Sequence, residues 1–192
     1  MGTYSTSDFK KGLKIQIDGV PYQMIEMNFR KPGKGTALYE CRLRNLVRGT
    51  VVDRTYRAGQ SVESADVSEF TAQFLYRQAE TFVFMNNSDF EQYELTEEQV
   101  GDAARFLKEN MDCQLMVFNN QPIAMTPPNH VILRVEYCEP AAKGNTATNV
   151  TKPVKLETGA EIFAPAFINQ GDFLRVDTRT GEYIERSKNP DE

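Results

Sequence analysis

Short stretches of alternating apolar and polar residues, each closed by turn residues, run through almost the whole chain and constrain its fold more than any other feature. The segment "LKIQID" alternates from Leu13 to Asp18, and Asp18-Gly19 then offers a tight turn before "VPYQMIEMNF". A period of two places successive side chains on opposite faces of a strand, whereas a helix needs a period of 3.6. The pattern therefore predicts an all-β protein made of short strands.

The first 64 residues predict one small barrel. "YECRLR" and "GTVVDRTYRAG" supply further strands after the first hairpin, with little helical periodicity between them. Four or more short strands in about 60 residues are typical of an SH3-like (KOW-like) barrel. The stretch "RKPGKGTALYE", Arg30 to Glu40, connects two of these strands.

Two further cycles of strands follow and predict two oligonucleotide/oligosaccharide-binding (OB) barrels. The middle segment holds several strands and one helix, which begins with a capping box at Thr96 and Gln99 and is expected to continue to Asn110. "TPPN" at 126–129 is a stiff break before the strands that begin with "HVILRVEY". The predicted domains are residues 1–64, 65–129 and 130–192.

The charges of these three segments differ strongly. Residues 1–64 carry 11 Lys/Arg against 6 Asp/Glu, residues 65–129 carry 3 against 11, and residues 130–192 carry 8 against 10, so the net charges are +5, −8 and −2. Clustered cations attract phosphate and an acidic face repels it, which predicts oriented docking on a polyanion such as RNA. The alternative is that this uneven distribution of charge has no function.

The chemistry-bearing residues are too sparse to predict an enzyme. The three cysteines, Cys41, Cys113 and Cys138, are far apart and flanked by apolar residues, which predicts buried free thiols. His130 is the only histidine, so a multi-histidine metal site is excluded and no cofactor is expected. No stretch approaches the roughly 20 apolar residues of a membrane span, and a signal-peptide centre is missing, so we expect a cytosolic protein.

The loop "KPGKG" places one lysine at the tip of a hairpin. Proline at 32 and glycine at 33 predict a type II turn with positive φ at Gly33, followed by a relaxed return at Gly35. Lys34 then projects outward on a flexible stem, flanked by Arg30 and Lys31. Arg42 and Arg44 lie on the next strand. The alternative is an ordinary solvated turn; a Walker-type phosphate loop is excluded, because GxxxxGK[ST] is absent.

The chain resembles the bacterial elongation factor P family. The resemblance rests on "SDFKKGLKIQIDG", on "KPGKG" followed by "RLRNLVRGTVVDRTYRAGQ", on "FMNNSDFEQYEL" with "TPPNHVIL", and on "TKPVKLETGAEI" with "GDFLRVDTRTGEYIER". Together these segments extend over nearly the whole chain.

The resemblance implies an L-shaped protein of three β-domains that binds the ribosome between the peptidyl-tRNA and exit sites. It further implies that Lys34 is extended by a modifying enzyme and reaches toward the CCA end of the peptidyl-tRNA. There it would favour peptide bond formation when consecutive prolines stall synthesis. Such a protein positions RNA, is not an enzyme, and is expected to act as a monomer.

The site residues implied by the resemblance are carried over by position. Lys31, Pro32, Gly33, Lys34 and Gly35 match the family loop, while Arg30 stands where many members have a small apolar residue. The family's Gly-Asp-Thr loop, implicated in contact with the exit-site mRNA codon, corresponds here to Gly144, Asn145 and Thr146. Asparagine retains hydrogen-bonding groups but loses the negative charge.

Three alternatives remain open from the sequence. Tyr183 could stack on a base, or could simply pack inside the third barrel. The chain could be a divergent paralogue of the family that serves another stalling context, although the intact "KPGKG" argues against this. It could also be an OB-fold enzyme or carbohydrate binder, but no cluster of carboxylates, histidines or thiols supports such a site.

Overall fold

The computed structural model of the chain describes residues 2–140 and 150–189. In that part of the chain, strands form three sheets, accompanied by one short α-helix and two 3-10 segments. The prediction of an all-β protein with one helix in the middle segment is confirmed. The chain divides into two compact units, Met1–Phe70 with Leu115–Met125 and Thr71–Gln114 with Thr126–Glu192. The predicted domain boundaries after residues 64 and 129 stay a prediction.

The first sheet has six strands in the order β1-β6-β2-β3-β4-β5. Its strands are β1 (Thr3–Ser5), β2 (Lys14–Ile17), β3 (Val20–Arg30), β4 (Leu38–Asn45), β5 (Val51–Arg57) and β6 (Ser61–Ser64). The predicted turn between β2 and β3 is confirmed: Asp18 and Gly19 both have positive φ, 50° and 77°, and Ile17 pairs with Val20. Two positive φ values in succession match the right-handed twist of a hairpin.

The alternation of apolar residues in the first segment places one face of the sheet against a core. In β4, Cys41 and Leu43 are buried, whereas Arg42 and Arg44 on the opposite face are exposed. The buried cluster consists of Phe9, Leu13, Ile15, Met24, Cys41 and Leu43. Burial of these side chains stabilises β3 and β4, the two strands that support the loop of residues 31–37.

Two five-stranded sheets follow. The second has the order β11-β10-β7-β8-β9, and the third has the order β14-β13-β12-β15-β16. Their strands are β7 (Val67–Gln78), β8 (Thr81–Asn86), β9 (Gln92–Thr96), β10 (Asp112–Phe118), β11 (Gln121–Thr126), β12 (His130–Cys138), β13 (Thr151–Leu156), β14 (Glu161–Pro165), β15 (Phe173–Asp177) and β16 (Tyr183–Ser187).

The helix of the middle segment begins as predicted but is much shorter. Helix α1 spans Glu97–Val100, and the Thr96 side chain accepts a hydrogen bond from the Gln99 backbone N–H (3.4 Å), so the capping box is confirmed. The predicted continuation to Asn110 is wrong. Gly101 adopts φ 62° and ψ −148°, which ends the α-helix, and residues Gly101–Phe106 continue as a 3-10 segment.

Phe106 at the end of this 3-10 segment belongs to the core of the third sheet. Its side chain is fully buried and clusters with Leu133, Leu156, Ile162 and Leu174. The neighbouring backbone is fixed as well, because the Arg105 carbonyl accepts a hydrogen bond from the Thr158 hydroxyl at 2.6 Å. The sequence pattern did not identify Phe106, since it lies outside the helical apolar face.

The prediction of buried free thiols is confirmed. Cys41, Cys113 and Cys138 are all buried and unpaired with one another. Burial raises the pKa of the Cys41 thiol to about 11 and that of Cys113 to about 12. Both thiols are therefore protonated at neutral pH, which is unsuitable for nucleophilic chemistry.

We expect Phe106→Ala to lower the free energy of unfolding by about 3–5 kcal/mol, because the truncation leaves a cavity in a packed core. Phe163→Ala is the matched control: Phe163 is 69% exposed on β14, and its truncation should change stability by less than about 0.5 kcal/mol. Chemical denaturation measures both values. Equal destabilisation by the two substitutions would contradict this assignment of the core.

Candidate nucleic-acid interface

The loop of residues 31–37 lies between the paired ends of β3 and β4. The antiparallel pairing of these strands continues as far as Arg30 and Leu38, directly at the two ends of the loop. The Ala37 carbonyl also accepts a hydrogen bond from the Ala58 N–H at 2.8 Å, which ties the end of the loop to the turn after β5. Residues 31–36 are all exposed. The loop is thus a projecting segment fixed at its base by backbone hydrogen bonds.

The backbone of the loop differs from the predicted type II turn. Gly33 does not adopt positive φ; the left-handed residue is Gly35, with φ of 115°. The predicted turn is wrong because the connection bends at residues 33–35, beyond the Pro32-Gly33 pair. A Cβ at Gly35 would lie 3.9 Å from Pro32 Cγ, whereas one at Gly33 would have open space around it. Conformation therefore requires glycine at 35 but not at 33.

The cations around the loop fall into two groups. Among the described residues, Lys31 and Lys34 form no ion pair, whereas Arg30 Nη1 lies 3.4 Å from Glu40 Oε1. The Arg30 and Glu40 side chains are 73% and 44% exposed, so this pair contributes at most about 1 kcal/mol and exchanges readily. Lys31 and Lys34 can therefore meet an incoming phosphate without first breaking an ion pair to a described residue.

Arg42 lies in a cross-strand charge ladder. It faces Glu26 on β3 and Asp53 on β5 in register, with nitrogen–oxygen distances of 3.7 and 3.4 Å. These carboxylates offset much of its charge. Arg44, two residues further along the same exposed face, pairs in register with Gln23 and Val51 and forms no ion pair in the described part of the chain.

Strand register also brings Arg57 to the loop. Leu38 is opposite Arg30 on one side and opposite Arg57 on the other, so both guanidinium groups lie on the same face at the base of the loop. The sequence placed Arg57 in a basic segment but could not place it beside the loop, because register is not visible in a single sequence.

An aromatic row occupies the opposite face of the same strand ends. Phe29, Tyr39 and Tyr56 are aligned across β3, β4 and β5, and Phe29 contacts Tyr39 edge-on with ring centroids 5.1 Å apart. Tyr39 and Tyr56 both pack on the buried Phe9. Phe29 is 56% exposed. The sequence pattern did not identify it as a site residue; its position directly before the "RKPGKG" loop is the only signal that could have done so.

The remaining predicted site residues lie elsewhere. Tyr183 on β16 is partly buried and packs against the core of the third sheet, as the packing alternative expects, and its stacking role stays a prediction. Gly144, Asn145 and Thr146 lie outside the described residues.

Within the described ranges, no group of carboxylates, thiols or histidine is arranged to hold a metal ion, and no helix combines the length and apolarity needed to cross a membrane.

Family models of three domains match successive parts of the chain. The elongation factor P (EF-P) KOW-like domain matches residues 5–62, the elongation factor P (EF-P) OB domain matches residues 67–125, and the model "Elongation factor P, C-terminal" matches residues 131–186. The predictions of a KOW-like first segment and an OB-type second segment are confirmed.

Whole-chain relatives show the same similarity. The chain is 52% identical to elongation factor P of Rhodopirellula baltica over 98% of this chain and 97% of the relative. It is 47% identical to elongation factor P of Syntrophus aciditrophicus over 96% of this chain and 99% of that protein. Among solved structures, eukaryotic translation initiation factor 5A from Methanococcus jannaschii shares the fold, with a TM-score of 0.55 and 19% identity over 66% of this chain and 92% of that chain.

We expect Gly35→Ala to cost about 1–2 kcal/mol, because a side chain disfavours the positive φ of this residue. Gly33→Ala is the matched control, with a change below about 0.5 kcal/mol, since its φ is ordinary and the space around it is open. Thermal and urea unfolding compare the two variants. A larger effect at Gly33 than at Gly35 would show that the bend lies at Pro32-Gly33 after all.

Proposed function

The chain belongs to the elongation factor P family, and from this premise we propose that it binds the ribosome beside the peptidyl-tRNA and relieves stalling at consecutive prolines. A translation elongation factor of this family acts where translation occurs, so we place it in the cytoplasm. The partners that we propose are ribosomal RNA and protein, the peptidyl-tRNA and an enzyme that modifies Lys34.

The observation that carries the proposal is the exposed Lys34 in the projecting loop. Its neighbours from Lys31 to Thr36 are exposed as well, and in the described structure neither Lys31 nor Lys34 has a carboxylate partner. The loop is held at its base by the Arg30–Leu38 pairing and by the hydrogen bond from Ala58 to Ala37. A charge presented in this way is available to RNA without breaking an ion pair to any described residue.

The proposed contribution to peptide bond formation is orientation. Proline constrains the nascent chain because its ring fixes φ, and it reacts slowly as a nucleophile. A factor that holds the end of the peptidyl-tRNA in attack geometry recovers rate by reducing the entropy lost on the way to the transition state. The ribosomal RNA performs the reaction, so this protein itself needs no catalytic group.

Exposure of the lysine also suits its proposed modification. A modifying enzyme must reach Nζ, and the side chain at the loop tip is accessible from the solvent. A group that lengthens the side chain and ends in an amine would extend its reach into an RNA cleft while retaining a positive charge. The absence of any Cβ at Gly33 and Gly35 keeps the protein narrow on both sides of that side chain.

Codon contact by the third segment is a separate part of the proposal. We propose that the loop containing Gly144, Asn145 and Thr146 approaches the exit-site mRNA codon, as the family resemblance implies. The Asn145 amide offers both a donor and an acceptor to a base edge or a ribose hydroxyl.

We expect Lys34→Ala to abolish rescue of consecutive-proline synthesis while leaving the fold unchanged, since an exposed loop side chain contributes little burial. Reconstituted translation of a polyproline reporter measures the rescue, and circular dichroism checks the fold. Lys11→Ala, which removes an exposed lysine elsewhere in the same unit, is the control and should retain full activity. Full rescue by Lys34→Ala would reject the role of this lysine.

Ribosome binding should weaken as salt rises, because each phosphate contact releases counterions. Lys31→Ala is expected to reduce the slope of log Kd against log salt by about 1, the value for one lost contact. Arg42→Ala should change the slope less, because Glu26 and Asp53 already offset that charge. Binding titrations at several salt concentrations supply these slopes. Affinity that is independent of salt would contradict an electrostatic interface.

A further inference from the structure

An exposed aromatic ring stands beside the cationic loop. Phe29 is the last residue but one of β3, and it lies in register with Tyr39 on β4 and Tyr56 on β5. Side chains alternate along a strand, so Phe29 lies on the face of the sheet opposite Arg30. The end of this sheet therefore presents an aromatic ring on one face and cations on the other, with the lysine loop between them.

Phe29 is more exposed to solvent than the other two aromatic residues of its row. Tyr39 and Tyr56 are partly buried on Phe9, with ring centroids 5.9 and 5.2 Å from that ring. Phe29 contacts Tyr39 in an edge-to-face arrangement and is 56% exposed to solvent. The backbone pairing on both sides of Tyr39 fixes the position of the row. Phe29 is thus held by its contact with Tyr39 and is still more than half exposed to solvent.

An exposed aromatic ring near lysines that have no carboxylate partner in the described part of the chain is a combination suited to single-stranded nucleic acid. Bases stack on aromatic side chains whatever their identity, while lysines contact the backbone phosphates. Bases within an RNA duplex are already stacked on their neighbours, and the narrow major groove excludes side chains. The matching ligand is therefore an unpaired strand or end of RNA.

We propose that Phe29 is a stacking platform for an unpaired RNA base whose strand is held by Lys31 and Lys34. This inference rests on the proposed function, because it requires RNA to approach the loop, and it adds a recognition residue that distinguishes unpaired from paired RNA. Loss of one base–aromatic stack weakens binding roughly 5- to 150-fold. Phe29 acts as a positioning residue for the RNA, alongside the lysine.

The composition of the chain allows a direct test. The protein contains no tryptophan, so Phe29→Trp introduces a single indole at the proposed platform. Stacking of a base on the indole quenches its fluorescence. The probe is a short RNA hairpin with an unpaired CCA end, titrated at low salt. The comparison RNAs are the same hairpin with abasic residues in place of the unpaired bases, and a blunt duplex. Phe163→Trp, at the exposed phenylalanine of β14, is the matched control.

We expect quenching of Phe29→Trp by the unpaired end, little quenching by the abasic and blunt RNAs, and no comparable response from Phe163→Trp. In a second measurement, Phe29→Leu should bind ribosomes carrying peptidyl-tRNA at least fivefold more weakly than wild type, whereas Phe29→Tyr should retain affinity because it keeps the ring. Folding of each variant is checked by circular dichroism.

Two outcomes would contradict the proposal that Phe29 stacks on an unpaired RNA base. One is equal quenching by normal and abasic RNA; the other is wild-type ribosome affinity of Phe29→Leu. A different result would reject the proposed function, namely the absence of polyproline rescue by the wild-type protein. Selective quenching of Phe29→Trp together with absent rescue would support the platform and reject the proposed function.

Discussion

The hydrogen-bonded ladder between β3 and β4 is the constraint on which the candidate interface depends. Pairing of Arg30 with Leu38 brings the two ends of the loop together, so residues 31–37 must project beyond the sheet. The ladder is stabilised from one side by burial of Met24, Cys41 and Leu43. Fixing the base of the loop in this way limits the conformations of Lys34 before any RNA arrives, which reduces the entropy lost on binding.

The same ladder distributes charge and aromatic surface to separate faces. Arg42 lies between Glu26 and Asp53, so much of its charge is offset within the sheet. The loop lysines have no such partners among the described residues, so their charge is not offset within the sheet. Phe29 lies on the other face of that end. An interface built in this way can attract an RNA strand by charge and then hold an unpaired base by stacking.

The sequence predicted those features that depend on local chemistry. Alternation identified the strands, Asp18-Gly19 identified a hairpin turn, and Thr96 with Gln99 identified the start of the helix. The sequence did not predict features that depend on contacts between residues far apart in the chain. The helix ends at Gly101, and Phe106 packs in the core of the third sheet. The periodicity of the segment indicates neither feature. Phe29 and Arg57 were not placed at the loop because strand register determines which residues lie beside it, and register is not visible in one sequence.

The central claim is that the Lys34 side chain meets the end of the peptidyl-tRNA, and site-specific crosslinking tests it most directly. A photoreactive lysine analogue at position 34 is incorporated, and the protein is bound to ribosomes stalled on consecutive prolines. The account predicts crosslinks to the terminal nucleotides of the peptidyl-tRNA from position 34 and none from the same analogue at position 11. Crosslinks from position 34 to ribosomal protein alone, with polyproline rescue intact, would contradict it.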